Sequence, residues 1–297
     1  MAGVTDSAFR QICKEFGADV VYSEMASAAA LFFKPEVTLE MLQFNSKERP
    51  YAVQLFGSKP EHFVVATKLI TKKIKPDGID INFGCPVRKV QKQGAGATLM
   101  GDLKLAKKIV QTVLENTNLP VSVKCRTSVP DGKGGAVSVL DFLDTLQGLD
   151  VQAAMIHGRT MAQGHVGPVN WQIIKEARQH FSGKIIANGG VKDAISAQEL
   201  LEKTGADGLG IGQAAMGKPW LFKQLTINNY QLSIKEIFKL ALKHAKLMYK
   251  LKGEAGIVEM RKHLCWYVAG LPGATELRRE LVQVNTLQDI KKILGKR

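Results

Sequence analysis

Short β-rich runs alternate with amphipathic helical segments through most of the chain, and this alternation constrains the fold more than any other feature. The runs predicted to be strands cover residues 18–23, 51–56, 78–82, 121–124, 153–157, 184–187 and 208–211. Predicted helices between them include 62–74, 103–115, 171–178 and 194–203. Such a pattern predicts a parallel sheet, and seven or eight units favour a (β/α)8 TIM barrel over a doubly wound sheet.

The number of predicted strands is one short of a complete barrel. The opening residues 1–6 resemble the loop that follows a strand, so the first barrel strand is expected upstream, missing or truncated. After residue 230 only helices are predicted, beginning with a capping box at Ser233 and Glu236 and continuing through 257–268, 275–284 and 287–294. The expected organisation is a barrel over residues 1–230 and a small helical bundle over 231–297.

Positive charge is concentrated in the predicted helical part. The chain of 297 residues has 41 Lys and Arg against 27 Asp and Glu, a formal charge of +14, and residues 231–297 hold 14 basic and 6 acidic residues. This asymmetry indicates a module that faces a polyanion, although a solvated basic surface would give the same count.

The cysteines and the hydropathy pattern exclude several classes of protein. Cys13, Cys85, Cys125 and Cys265 form no CxxC pair and no zinc-type spacing, so no metal site is expected, and their scatter suits a reducing cytoplasm. No apolar run approaches the roughly 20 residues of a membrane span, and no secretory signal is visible. We therefore expect a cytoplasmic protein.

Cys85 lies directly after the predicted strand 78–82, in the run Asn82-Phe83-Gly84-Cys85-Pro86. A free cysteine has a pKa of about 8.5, so most of it carries a proton at neutral pH and can act as a general acid. The alternative is a small buried hydrophobic residue in a loop.

Polar residues lie at or just beyond the C-terminal end of nearly every predicted strand, and parallel strands of a barrel present these ends at one mouth. They are Glu24, Gln54, Asn82 with Cys85, Lys124, His157 with Arg159, Asn188-Gly189-Gly190 and Gly210-Ile211-Gly212. The two glycine segments follow the last two strands, where barrels often bind phosphate through backbone N–H groups, which predicts a mononucleotide cofactor.

The other polar residues admit both a binding and a structural interpretation. Lys124 would stabilise an anion on a bound ring, or extend into solvent. Gln54 would contact the edge of a heterocycle, or be a satisfied core amide. His157 and Arg159 indicate an anionic or carbonyl-bearing ligand, although a single histidine is usually structural.

Several motifs in order along the chain resemble the tRNA-dihydrouridine synthases, with the bacterial B-type enzymes most similar. The segments that carry the resemblance are Met1-Ala-Gly-Val-Thr-Asp6, Val53-Gln-Leu-Phe-Gly57, Asp80-Ile-Asn-Phe-Gly-Cys-Pro86, Gly94-Ala-Gly-Ala-Thr-Leu-Met100, Val123-Lys-Cys-Arg126, Ile156-His-Gly-Arg-Thr160, Asn188-Gly-Gly190, Gly217-Lys-Pro-Trp220 and Arg261-Lys-His-Leu-Cys-Trp-Tyr267. Together they cover nearly the whole chain.

The resemblance implies reduction of the C5–C6 double bond of specific uridines in tRNA, with FMN as cofactor and NADPH as reductant. It implies that Cys85 delivers a proton to C5 while flavin N5 delivers hydride to C6, on a base flipped out of the RNA stack. Implied flavin contacts are Met1, Ala2, Gln54, Lys124, His157, Asn188, Gly189, Gly190, Gly212 and Gln213. Implied RNA contacts are Asn82, Arg159, Arg261 and Lys262, with His157 also near the uracil.

One departure and two alternatives stay open at this point. The family often has arginine where this chain has Gln213, which predicts weaker FMN binding. An FMN oxidoreductase of a free pyrimidine, similar to dihydroorotate dehydrogenases, would share the barrel and the phosphate site. An RNA-binding protein without catalysis would share the basic helical part. A monomer is expected.

Overall fold

The structure, a computed structural model, describes residues 1–227 and 229–295. The chain divides into two compact units, one of Met1–Asp6 with Val20–Ile211 and one of Ser7–Asp19 with Gly212–Arg297. The sequence placed the boundary at residue 230, whereas the segments 7–19 and 212–230 group here with the helices. The reason is apolar packing, since Ala8, Ile12 and Trp220 belong to the core of the helical unit.

Strands β1 to β9 form a parallel sheet and a small hairpin. They are β1 (Val21–Ser27), β2 (Tyr51–Phe56), β3 (Gly78–Phe83), β4 (Val121–Arg126), β5 (Ser128–Pro130), β6 (Ala136–Ser138), β7 (Val151–His157), β8 (Lys184–Asn188) and β9 (Gly208–Gly210). The sheet has seven strands in the order β1-β2-β3-β4-β7-β8-β9, all parallel, while β5 and β6 pair antiparallel. This is the strand arrangement of the (β/α)8-barrel class, with seven strands present.

Helices follow the strands in the alternation that the sequence predicts. They are α1 (Ser7–Glu15), α2 (Ala28–Phe33), α3 (Pro35–Met41), α4 (Pro60–Leu69), α5 (Arg88–Gln91), α6 (Ala97–Met100), α7 (Leu103–Glu115), α8 (Val139–Thr145), α9 (Trp171–His180), α10 (Ala194–Thr204), α11 (Leu221–Gln224), α12 (Ile234–Tyr267), α13 (Ala274–Leu281) and α14 (Leu287–Leu294). A π-helical segment, Ile70–Ile74, extends α4, and 3-10 turns lie at Ser46–Glu48 and Gln213–Ala215.

The first strand differs most from its prediction. It begins at Val21 rather than at residue 18, because the Ala18 N–H bonds to the Cys13 carbonyl in the turn after α1. Glu24 consequently lies within β1 and not at its end, so its expected place at the strand terminus is wrong.

Two-residue alternation along the strands separates apolar from polar side chains. In β3, Ile79, Ile81 and Phe83 are buried on one side, and Asp80 and Asn82 on the other. The sheet register aligns the polar positions of neighbouring strands, pairing Gln54 with Asp80 and Asp80 with Ser122. Polar side chains of β2, β3 and β4 are therefore neighbours on one face of the sheet, although each strand is hydrophobic overall.

The helical unit has a core of its own. Its longest element, α12, begins at the predicted capping box of Ser233 and Glu236 and is interrupted at Gly253, where φ is 59°. Buried residues of its core include Ile237, Met248, Leu264 and Leu281. Among residues 1–227 and 229–295, none of the helices combines the length and apolar character that crossing a bilayer requires.

Candidate functional site

The turn after β3 holds Cys85 in a fixed backbone position. The Asn82 side-chain oxygen accepts hydrogen bonds from the N–H groups of Gly84, at 3.0 Å, and Cys85, at 2.9 Å. The Cys85 carbonyl accepts from the Ala97 N–H at 3.1 Å, and a Cβ on Gly96 would lie only 2.9 Å from that carbonyl. Cys85 as a residue is 8% exposed and lies beside Val90, after a strand whose polar face lines the site.

Lys124 and Asn188 meet at the carboxyl ends of β4 and β8. The lysine Nζ donates to the Asn188 Oδ1 at 3.1 Å, and the Asn188 Nδ2 donates to the Gly210 carbonyl at 2.6 Å. Burial lowers the pKa of Lys124, while the nearby Asp80 carboxyl opposes that shift, and Cys85 is also close enough to act on the lysine. Cys85, Lys124 and Asn188, which are 39 or more residues apart in sequence, therefore lie around the same region at this edge of the sheet.

Backbone N–H groups after β8 are available to a ligand. Gly189 and Gly190 have φ angles of 103° and 82°, and within the part of the chain that the structure describes neither N–H has a hydrogen-bond acceptor. A Cβ on Gly189 would lie 2.5 Å from His157 Cδ2, and one on Gly190 would lie 2.9 Å from a Val169 methyl. Both positions need glycine, because a side chain would be strained and would clash.

His157 is a neutral histidine at neutral pH. Burial, followed by the charges of Lys124 and Arg126, lowers its pKa from 6.5 to about 3. Its Nε2 lies 3.4 Å from an Arg159 Nη1, so the geometry assigns the ring proton to Nδ1. The Arg159 guanidinium is held by its Nε, which donates to the Gly167 carbonyl at 2.8 Å.

Comparison with known proteins identifies the family. The sequence pattern of the family described as dihydrouridine synthase (Dus) matches residues 1–296. The chain belongs to the dihydrouridine synthase family. It is 32% identical over 99% of its length to a probable tRNA-dihydrouridine synthase 1 of Synechocystis, covering 83% of that protein. It is 33% identical over 97% of its length to tRNA-dihydrouridine synthase B of Pseudomonas aeruginosa, covering 87% of that protein.

A solved structure supports the fold of this dihydrouridine synthase. Histamine dehydrogenase from Rhizobium sp. 4-9 matches with a TM-score of 0.58 at 13% identity, over 81% of this chain and 46% of that one. At that identity the likeness concerns the fold alone. The sequence-based identification of the family, the fold class and the enzymatic nature of the chain is confirmed.

The sequence analysis did not identify two buried residues that belong to the site, Asp80 and Arg126. Asp80 is fully buried and accepts from Gln54 Nε2 at 2.7 Å and Ser122 Oγ at 2.6 Å. Burial raises its pKa from 3.8 to about 6, against the opposing effects of those two bonds and of Lys124. A carboxylate inside a hydrophobic strand was the available signal, since such groups are buried only with partners.

Arg126 is the second missed residue. It is 2% exposed, and its guanidinium donates to the carbonyls of Gly84, Thr160 and Gly164 at 2.8, 2.9 and 2.7 Å. It thereby ties the Cys85 turn to the loop after β7. The two-residue spacing from Lys124 places it on the same face of β4, which the sequence already indicated.

The remaining predicted contacts lie at several places. Met1 and Ala2 lie in a turn in which the Met1 carbonyl accepts from the N–H groups of Val4 and Thr5. Gly212 and the exposed Gln213 belong to the helical unit.

Arg261 and Lys262 lie in α12. The Arg261 Nε donates to the Val284 carbonyl at 2.9 Å, and its Nη2 donates to Asn285 Oδ1 at 2.8 Å. Lys262 is half-buried.

Proposed function

We propose that the chain reduces the C5–C6 double bond of uridines in tRNA to give 5,6-dihydrouridine, with FMN as cofactor and NADPH as reductant. The observation that carries the proposal is the juxtaposition of Cys85, Lys124 and Asn188 at one edge of the sheet of a dihydrouridine synthase family member.

The residues at this edge fit an FMN molecule. Lys124 has three donors and uses one on Asn188, so two remain for an anionic or carbonyl-bearing ring. The two acceptor-free N–H groups of Gly189 and Gly190 suit a phosphate, as do glycine-rich turns in other barrels. Gln54 keeps one N–H and one lone pair beyond its bonds to Asp80 and Asn82. Met1, Ala2, Gly212 and Gln213 are the further proposed contacts.

FMN, when bound, would supply the hydride, and the chain's own residues would place the substrate and manage protons. Cys85 holds the proton destined for C5 of the uracil. Asn82 positions that thiol through the two N–H groups bound to its side-chain oxygen. Lys124 stabilises negative charge that develops on bound rings, because its ammonium lies among buried strands. His157 is uncharged and offers its Nδ1–H as a hydrogen-bond donor to the bound ligand. Arg159 supplies a fixed cation for the uracil and its neighbourhood.

The basic helical part supports an RNA substrate. Residues 231–297 carry an excess of eight positive charges, which a small free pyrimidine would not require. Phosphate contacts from this region, including Arg261 and Lys262, would hold the RNA while the target uridine is flipped out of its stack. We propose a monomer in the cytoplasm, where tRNA is the partner.

The acid role of Cys85 is tested by replacing it with alanine. Purified parent, Cys85→Ala and Cys125→Ala chains are incubated with FMN, NADPH and an unmodified tRNA transcript, and dihydrouridine is measured by mass spectrometry. We expect Cys85→Ala to bind FMN and tRNA normally but to form product about 100-fold or more slowly, the usual contribution of a general acid. Cys125 donates instead to the Met155 carbonyl, so its variant should retain activity. Rapid product formation by Cys85→Ala would refute the acid role.

The substrate class is tested with the same parent chain. Product from the tRNA transcript, with affinity that falls steeply as salt rises, supports RNA as the substrate. Turnover of free uridine or dihydroorotate without RNA would favour the free-pyrimidine alternative. Flavin-free protein that binds tRNA and forms no product even with added FMN would favour the RNA-binding alternative.

A further inference from the structure

A buried chain of side-chain hydrogen bonds connects Asp80 with the turn that carries Cys85. The Asp80 carboxylate accepts from Gln54 Nε2 at 2.7 Å. The Gln54 Oε1 accepts from Asn82 Nδ2 at 2.8 Å. The Asn82 Oδ1 accepts from the N–H groups of Gly84 and Cys85. Asp80, Gln54 and Asn82 are all 8% exposed or less, so water does not readily replace these partners.

The orientation of each amide in this chain depends on the previous link. A carboxylate offers only acceptors, so it holds the NH2 end of Gln54 towards itself and the oxygen towards Asn82. That oxygen in turn holds the NH2 end of Asn82, and the Asn82 oxygen faces the two backbone donors. Turning either amide around would place donor against donor or acceptor against acceptor. In a buried site such a mismatch is unfavourable, because no water can satisfy the groups left without a partner.

We infer that Asp80 is a positioning residue for Cys85, acting through the amide orientations of Gln54 and Asn82. This inference deepens the function proposed above, since it concerns the same thiol. The Asp80 carboxyl itself lies two strand residues before Asn82, fully buried, and is distinct from the groups assigned to the ligand. Its role is to define which way two neutral amides point, and thereby where the Cys85 backbone is held.

Ser122 offers a matched control for this role. Its hydroxyl donates to the other carboxylate oxygen, Oδ1, at 2.6 Å, and so contacts Asp80 without being part of the chain of amides. Ser122→Ala removes one bond to the same buried carboxyl and leaves the link to Gln54 intact. In Asp80→Asn the new NH2 group can donate to the Ser122 hydroxyl, which can act as an acceptor. The amide oxygen then faces Gln54 and still accepts from it. Asp80→Ala removes the acceptor altogether.

Amide hydrogen exchange of the full chain tests the positioning role without reference to activity. We expect the exchange rates of the Gly84 and Cys85 amides to rise at least tenfold in Asp80→Ala and less than threefold in Asp80→Asn and Ser122→Ala. If Asp80→Ala does not fold, Gln54→Leu interrupts the same chain at its middle link and should give the same tenfold rise. If the Gly84 and Cys85 amides stay protected in a folded Asp80→Ala chain, the inference is overturned. If Asp80→Ala does not fold, protection of the same amides in Gln54→Leu overturns it.

Dihydrouridine formation provides the second readout. Turnover by Asp80→Ala should fall at least tenfold below that of Asp80→Asn, which also lacks the charge that acts on Lys124 but keeps an acceptor for Gln54. Ser122→Ala should stay within about threefold of the parent. An equal loss in Asp80→Ala and Ser122→Ala would mean that Asp80 contributes only to packing and would overturn the positioning role. A parent chain that makes no dihydrouridine would instead refute the proposed function, and the exchange measurement would still decide the role of Asp80.

Discussion

Asp80 should make the stability of this chain fall as pH rises, which is the reverse of the effect of an ion-paired carboxylate. Burial raises the pKa of this carboxyl from 3.8 to about 6 in the folded chain. The folded state therefore binds the proton more tightly than the unfolded state does. Its contribution to the free energy of unfolding is complete below about pH 3.8 and is lost as the pH rises through about 6.

The size of the effect follows from the shift. A difference of about two pKa units corresponds to about 3 kcal/mol in total, at about 1.4 kcal/mol per unit. About 2 kcal/mol of this should be lost between pH 4.5 and pH 7. The window from pH 4.5 to pH 7 is chosen because it spans the raised pKa of Asp80, about 6.

The assay is urea unfolding of parent, Asp80→Asn and Asp150→Asn chains, followed by circular dichroism at several pH values from 4.5 to 7. The quantity of interest is the difference in free energy of unfolding between parent and variant, in which the other carboxyl groups cancel. From pH 4.5 to pH 7 the stability of the parent relative to Asp80→Asn should fall by about 2 kcal/mol. Asp150→Asn makes the same substitution at an exposed carboxyl and controls for the exchange of aspartate for asparagine itself. A change below about 0.5 kcal/mol for Asp80→Asn, or one of opposite sign, would refute the reasoning.

Three further changes probe other parts of the molecule. Gly189→Ala should weaken FMN binding and lower the melting temperature, since its Cβ would lie 2.5 Å from His157 Cδ2; Gly205→Ala, also at positive φ but with open space, should cause a smaller loss of stability. Burial holds the pKa of His244 at about 3, so stability present above about pH 6.5 should be lost as pH falls. Below pH 6.5 the free energy of unfolding of the parent should fall more steeply with falling pH than that of His244→Leu. The same pH dependence in both chains would contradict this. If Gln213 contacts the FMN phosphate as proposed, Gln213→Arg should tighten FMN binding in a titration, because arginine adds a cation at that contact. An unchanged Kd counts against the contact.

Local sequence determined the elements of this protein to a large extent. The helix 103–115 and the strand 51–56 were predicted with the bounds that the structure has, because amphipathic periodicity and β-branched or aromatic content are local properties. The capping box at Ser233 also formed as predicted, since it involves residues three apart. The short hairpin of β5 and β6 was missed, because its three-residue strands flank a glycine-rich tip and leave little periodic signal.

The candidate site was only partly accessible from the sequence. Cys85, Lys124 and Asn188 could be singled out, because each lies at or just beyond the end of a predicted strand and parallel strands end at one edge. Which atoms meet could not be predicted, since the bond from Lys124 to Asn188 spans 64 residues and depends on the register of several strands. The same holds for Arg126, whose acceptors lie 34 to 42 residues away.

The sequence by itself thus determined the parallel α/β architecture, the thiol after β3 and the basic C-terminal part. Only the tertiary structure decided that Asp80 is fully buried, that Gln54 and Asn82 form one hydrogen-bonded chain with it, and that Ser7–Glu15 belongs to the helical unit. The physical reason is that periodicity and capping depend on neighbours in sequence. Burial, pKa and amide orientation depend on which distant groups the fold brings within hydrogen-bonding distance.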